Sequence, residues 1–250
     1  VIGQNTIKFI KSLNLKKNRQ LNKKVILEGY RLIVESIHAG TKIDYIVINE
    51  NFQKELLNIK EFENQNIKSA SKNNFKKISN TTNSQGIIAI ADVKKYFNQS
   101  LENIKNENII ILDGIQDPGN LGTIFRTCVW YGIKSIILTS NTIDPFNLKC
   151  IRSGMGAHFY LSNIIQDNHI NVLKFLKNNY KTIYIADMKG SNLEKIKSNT
   201  NWALILGSEA HGVTDDFKQF KRITINKIGQ LESLNVSVAA GIIINKLIND

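Results

Sequence analysis

Between residues 109 and 225 the chain carries short, continuous apolar or β-branched runs: Ile109 to Leu112, Ser135 to Leu138, Thr182 to Ala186, Ala203 to Leu206 and Arg222 to Ile225. A strand with one wet face alternates apolar and polar residues; these runs do not, so both of their faces need cover. Segments around 121–131, 168–178 and 213–219 lie between the runs and read as helices, and a last one spans about 235–248. Buried strands alternating with helices predict an α/β domain with a parallel sheet and helices on both faces. In such sheets ligands bind where loops leave the carboxyl ends of the strands, and chemistry is expected there.

The preceding chain reads as a separate, smaller α/β unit. Ile7, Ile10 and Leu13 lie at helical spacing, Lys23 to Leu27 reads as a strand, and a helix follows from about Gly29 to His38. Ile43 to Ile48 and Gly86 to Ala91 read as further strands. A polar stretch joins the two regimes. The expected organisation is a domain over 1–96, a linker over 97–107 and a domain over 108–250. A chain of 250 residues is long enough for two such cores.

Charge separates the parts further. Of a net charge of +12, residues 1–100 contribute 17 Lys and Arg against 8 Asp and Glu. Seven basic residues and no acidic one precede Glu28. A basic first part suits a polyanionic partner, although a Lys-, Asn- and Ile-rich composition also follows from an AT-rich genome. Cys128 and Cys150 form no C-x-x-C pair, and His38, His158, His169 and His211 show no ligand spacing, so neither a metal site nor a disulfide framework is expected. No run approaches the roughly 18 apolar residues that cross a bilayer, and the first residues lack a signal-peptide core. A soluble, cytoplasmic protein with no membrane partner is the expectation.

Three loops could carry chemistry. In Asp113-Gly114-Ile115-Gln116-Asp117-Pro118-Gly119-Asn120, a turn delivers Asn120 to a helix start, where it could cap amides, and Arg126 follows on the helix as a candidate phosphate ligand. In Gly207-Ser208-Glu209-Ala210-His211-Gly212, Gly207 permits close backbone approach, while Glu209 reads either as a ligand acceptor or as a cap for neighbouring amides. His211 reads as a solvated loop histidine before it reads as a base. In Ser233-Leu234-Asn235-Val236-Ser237, Ser233 is the expected helix cap, and Asn235 is left needing a partner. Each loop alone is compatible with a capped helix.

In this order and spacing, Asn120 with Arg126, Gly207 with Glu209, and Ser233-Leu234-Asn235 resemble the three motifs of the SpoU (TrmH-type) branch of the SPOUT methyltransferases. The likeness covers about residues 108–250. The first ~95 residues resemble the ribosomal-protein-like substrate-binding domain often placed before it, through Lys8 to Arg19, Leu27-Glu28-Gly29-Tyr30-Arg31 and Ser84-Gln85-Gly86-Ile87. The resemblance implies a C-terminal trefoil knot, S-adenosylmethionine as cofactor held at Gly207, Ile225 and Leu234, and a homodimer with its active site near the subunit interface. It implies methyl transfer to a ribose 2′-hydroxyl of structured RNA, ribosomal RNA before transfer RNA, with Arg126, Asn120, Glu209, Ser233 and Asn235 as the catalytic set. Arg152 could add a phosphate contact. A guanidinium stays protonated in proteins, so electrostatic positioning by Arg126, with the phosphate relaying a proton, is preferred to a literal base. One departure stands out: Asn226 occupies the place where the family usually has Pro before the third motif. The competing readings are a catalytically inactive RNA-binding protein with a degenerate domain and a Rossmann-type nucleotide enzyme. The first requires loss of a motif residue, and the second requires a G-x-G-x-x-G turn that is missing.

Overall fold

In the computed structural model, which describes residues 1–197 and 201–249, the chain forms two compact units. One is Val1–Asn98 with Phe146–Phe159, and the other comprises Gln99–Pro145 and the chain from Tyr160 onward.

The first unit is built on four strands, β1 (Lys24–Glu28), β2 (Ile43–Asn49), β3 (Ile67–Ala70) and β4 (Ile87–Asp92), in the order β1-β4-β2-β3. β4 runs antiparallel to both neighbours, and β2 and β3 are parallel. Helices α1 (Gln4–Ser12), α2 (Lys16–Asn22), α3 (Tyr30–His38) and α4 (Lys72–Ile78) accompany them. Ile7, Ile10 and Leu13 are buried against Ile26, Val47, Ile88 and Ile90, as their helical spacing predicts. The buried Glu28 carboxylate accepts from the hydroxyls of Ser79 (2.5 Å), Thr81 (2.8 Å) and Ser84 (3.0 Å) and from the Asn80 amide (2.8 Å). The Tyr30 amide donates to Gln85 Oε1 at 2.8 Å. Leu27 to Arg31 and Ser84 to Ile87, far apart in sequence, therefore meet. β3, α2 and α4 are not legible in the sequence, because each is short and offers at most two buried residues.

The second unit holds six parallel strands: β5 (Ile109–Asp113), β6 (Ser135–Thr139), β7 (Asn163–Asp167), β8 (Thr182–Asn192), β9 (Trp202–Gly207) and β10 (Lys221–Thr224). Their order is β10-β8-β9-β5-β6-β7, and every pairing is parallel. Ile109 and Ile111 of the central β5 join a core with Ile137, Ile185, Ile205, Val172 and Leu176, the last two from α7 (His169–Asn179). Ile110 and Leu112 point the other way and are equally buried. Helix α5 (Pro118–Trp130) packs on the C-terminal α8 (Val236–Asn249), which also packs on β9. The parallel sheet flanked by helices is the architecture the continuous apolar runs predict. A further short helix, α6 (Leu148–Gly154), lies in the stretch that clusters with the first unit.

Two sequence expectations are corrected. The segment 213–219 is not an α-helix; only a 3-10 turn forms, over Asp215–Gln219. Val213 and Phe217 are both buried, and this i, i+4 spacing mimics a helix, but the Thr214 amide is held by Asp113. β7 and α6 were not expected, since β7 contains only two apolar residues and α6 spans only seven positions. Within 97–107 the Gln99 side chain is tied down, donating to the Ser162 carbonyl (2.7 Å) and accepting from the Ile164 amide (2.9 Å). Among the described residues no helix is long and apolar enough to cross a membrane.

Candidate active site

The carboxyl ends of β5 and β9 lie side by side, with Asp113 opposite Gly207 in the ladder. Asp113 is 3 % exposed, and its carboxylate accepts from Thr139 Oγ1 (2.9 Å) and from the Thr214 amide (2.6 Å). Thr142 donates its hydroxyl to the Leu112 carbonyl at 2.8 Å and accepts from the Gly114 amide at 3.0 Å. These bonds fix three segments at one strand end: the loop after β5, the loop after β6 and the loop after β9. A buried carboxylate needs such donors to offset its lost hydration.

The loop after β5 enters α5 through Asp117, which caps the helix by accepting from the Asn120 amide at 2.8 Å, with Pro118 at the first helical position. Asn120 is therefore not the cap. Lying three residues inside, it has its side chain free to reach another segment. Its Nδ2 donates to Glu209 Oε1 at 3.1 Å, and its Oδ1 accepts from Asn235 Nδ2 at 2.9 Å. Glu209 Oε1 also accepts from Asn235 Nδ2 (3.0 Å) and from the Val236 amide (3.2 Å).

The direction of this network is set by α8. Asn235 Oδ1 accepts from the Ser237 amide (2.9 Å), the Ser237 hydroxyl (2.5 Å) and, more weakly, the Val238 amide (3.4 Å). With Oδ1 committed to the helix start, Nδ2 must face Asn120 and Glu209, which in turn orients the Asn120 amide. Asn235, rather than Ser233, is thus the cap of α8. The helix begins at Val236, two residues later than a Ser233 cap would require.

Glu209 sits on a tight loop closed by paired bonds between Ser208 and Gly212, 3.0 and 2.8 Å long. The loop folds back so closely that a Cβ on Gly207 would overlap the backbone of Gly212 and Val213. The glycine is required by the chain's own path, a more immediate reason than approach to a ligand. A cleft of about 730 Å³ opens over this loop. Its walls bring Asp113, Asp117, Glu209 and Asp215 together, against Lys218, which is itself paired with Asp215 at 2.5 Å. His211 lies on the rim, exposed.

Three of the five expected catalytic residues, Asn120, Glu209 and Asn235, are thus joined directly. The other two are not part of the network. Arg126 is exposed on α5, roughly 9 Å further along the helix axis than Asn120. Ser233 is exposed, and among the described residues neither its side chain nor that of Arg126 makes a hydrogen bond or ion pair. Of the expected cofactor positions, Gly207 ends β9, Ile225 follows β10 half-buried, and Leu234 is 47 % exposed beside Asn235. None of the three lines the cleft. Arg152 lies on α6, in the stretch that clusters with the first unit. Asp113 and Asp117 are not among the residues the sequence points to. Their signals are an acid closing a buried strand and an Asp immediately before Pro at a helix start. Among the described residues no group of three or more His, Cys, Asp or Glu could hold a metal ion.

Comparison with known proteins gives a consistent result. The SpoU rRNA Methylase family profile matches residues 107–245, and the profile of an MRM3-like substrate binding domain matches residues 4–89. The 23S rRNA (guanosine(2553)-2′-O)-methyltransferase RlmP of Bacillus subtilis is 29% identical over 248 residues, covering 96% of this chain and 95% of that one. A TrmH-family RNA methyltransferase structure from Porphyromonas gingivalis superposes with a TM-score of 0.84 at 27% identity, covering 99% of this chain and 98% of that one. An AdoMet-bound rRNA methyltransferase structure from Sinorhizobium meliloti gives 0.84 at 25% identity, covering 99% and 96%.

Proposed function

Because the chain belongs to the SpoU rRNA methylase family, we propose that it transfers a methyl group from S-adenosylmethionine to a ribose 2′-hydroxyl of structured RNA, with ribosomal RNA as the substrate. The observation that carries this reading is the direct joining of Asn120, Glu209 and Asn235 at the carboxyl ends of the parallel strands. A degenerate relative without activity is disfavoured by the intact network. The acidic lining of the cleft disfavours a pyrophosphate-bearing nucleotide, which carboxylates would repel.

The residues present fit the cofactor. A sulfonium cation and a hydroxyl group both suit a site rich in carboxylate and amide oxygens. Gly207 and Leu234 lie within two residues of Glu209 and Asn235, so the hydrogen-bonded network fixes the loops that would hold the cofactor. When bound, S-adenosylmethionine supplies an activated methyl group, which leaves orientation and proton removal to the protein. Among the described residues Glu209 is held through Oε1, leaving Oε2 to accept from a ligand hydroxyl. Arg126, a fixed cation whose side chain has no hydrogen bond or ion pair among the described residues, holds the phosphate beside the target ribose and stabilises the developing alkoxide, the phosphate relaying the proton. Ser233 completes the set from the loop before α8.

The same proposal includes the trefoil knot, with the segment after β10 passing through an earlier loop to reach α8. It also includes a homodimer and a cytoplasmic location. Trp130 (82 % exposed) on α5 and Val238 (50 %) and Ile242 (41 %) on α8 leave two packed helices with apolar side chains in the open, which supports a second copy there. The match of residues 4–89 to a substrate-binding domain supports its role in gripping RNA, with 97–107 as the connection. Mapping 2′-O-methyl groups across ribosomal and transfer RNA from cells with and without the gene tests the reading: one ribosomal site should vanish. Loss of a transfer-RNA site instead would move the substrate, and loss of none would reject the activity.

A further inference from the structure

A second cavity, of about 580 Å³, opens at the amino ends of β8 and β10 and the end of α7, the opposite end of the sheet from the strand-end loops of the candidate active site. Lys177, Lys181, Lys197 and Lys221 line it, all exposed, and among the described residues no Asp or Glu does. Among the described residues none of the four amines has an ion pair or a hydrogen bond. The Lys221 ammonium stands 5.8 Å from the centre of the Tyr184 ring, and Tyr180 and Tyr184 are buried beneath the lysines.

Some lysines elsewhere in the chain are balanced by carboxylates. Lys24 lies between Asp44 and Asp92, at 2.8 Å from each, and Lys218 is paired with Asp215. Four uncompensated ammonium groups around one hollow repel one another, and a polyanion relieves that repulsion. Lysine ammonium is a point-charge ligand for phosphate. We infer that this hollow is a second docking point for RNA, holding phosphodiester groups of the substrate backbone at the far end of the sheet from the Asn120–Glu209–Asn235 network. Contacts of this kind fix position and register without reading sequence. The inference rests on the reading of the chain as an RNA-directed enzyme, and it adds a site that the three motifs do not include.

Amine acetylation followed by mass spectrometry, on the whole protein with and without a 23S ribosomal RNA transcript, reads the occupancy. RNA should slow acetylation of Lys177, Lys181 and Lys221 several-fold. In the triple variant Lys177→Gln/Lys181→Gln/Lys221→Gln, the slope of log affinity against log salt should fall by about 2–3, since each lost phosphate contact removes close to one counterion. Unchanged acetylation with RNA bound, or an unchanged slope, overturns the inference. Protection by tripolyphosphate but not by RNA would make the hollow a small-anion site and overturn it equally. The two readings fail separately. Methyl transfer with these lysines still reactive removes only the docking point. Protection of the lysines with no methyl transferred to any RNA removes only the proposed activity.

Discussion

Asn235 Nδ2 donates both to Asn120 Oδ1, at 2.9 Å, and to Glu209 Oε1, at 3.0 Å, so one amide closes a network between residues 115 and 26 positions away in the chain. Its other atom, Oδ1, starts α8. Helix initiation and site geometry therefore depend on the same side chain, and two substitutions separate them. Asn235→Asp keeps an acceptor for the helix but faces Glu209 with a second carboxylate. Asn235→Ala loses both functions. Asp should retain the cap contribution of about 1 kcal/mol that Ala loses, while both variants lose activity. Thermal melts paired with methyl-transfer rates check this.

Glu209 accepts three hydrogen bonds through one oxygen. In Glu209→Ala the Asn120 and Asn235 amides lose their shared acceptor, and the loops they orient move. A displacement of about 1 Å at a reacting centre costs on the order of 10²-fold in rate, and kcat/KM should fall by at least that. RNA affinity should stay near wild type, because the basic residues are untouched. Filter binding beside steady-state kinetics separates the two.

Gly207→Ala places a methyl group into the Gly212–Val213 backbone. The loop must open to accept it, costing about 1–3 kcal/mol and displacing Glu209. S-adenosylmethionine affinity, read by calorimetry, should weaken along with stability.

The first unit carries an acid-sensitive contact. Burial opposes ionisation of Asp92, but the Lys24 ammonium at 2.8 Å, the Lys94 amide at 2.7 Å and the charge of Lys42 together outweigh it and hold the carboxyl below its ordinary 3.8. A carboxyl depressed on folding stabilises the native state above its unfolded value, and that contribution is lost as pH falls through the folded value. Asp92→Asn should therefore flatten the part of the stability decline that sets in as pH drops below 3.8 and leave the neutral-pH activity unchanged. Melting temperature against pH for the two proteins tests it.

Arg126 is exposed and among the described residues its side chain has no hydrogen bond or ion pair, so Arg126→Ala should leave the melting temperature and S-adenosylmethionine affinity near wild type while turnover is abolished. Arg126→Lys should rescue little, because an ammonium cannot reproduce bidentate phosphate contact. Equal loss of cofactor binding would make Arg126 structural.

Much of this was legible in the sequence, for identifiable reasons. β5 and β9 are buried on both faces, so their apolar runs are unbroken and easily read. Gly207, Glu209 and Asn235 fall at strand and helix ends, where the chain order alone suggests a site. The sequence could not assign the caps, because a helix start slides by two or three residues at little cost: Asp117 takes the place expected for Asn120, and Asn235 that expected for Ser233. β7 was hidden by its polar ends. The lysine hollow was invisible because the Lys177–Lys181 stretch, Lys197 and Lys221 are separate in sequence and only the parallel sheet brings them together.

The central claim is methyl transfer to ribose oxygen, and it can be read on the product. Purified protein, methyl-labelled S-adenosylmethionine and a 23S ribosomal RNA transcript are incubated, and the RNA is digested to nucleosides and separated. The account predicts label in a single 2′-O-methylated nucleoside. Label on a base, or none in RNA while the cofactor binds, would contradict it.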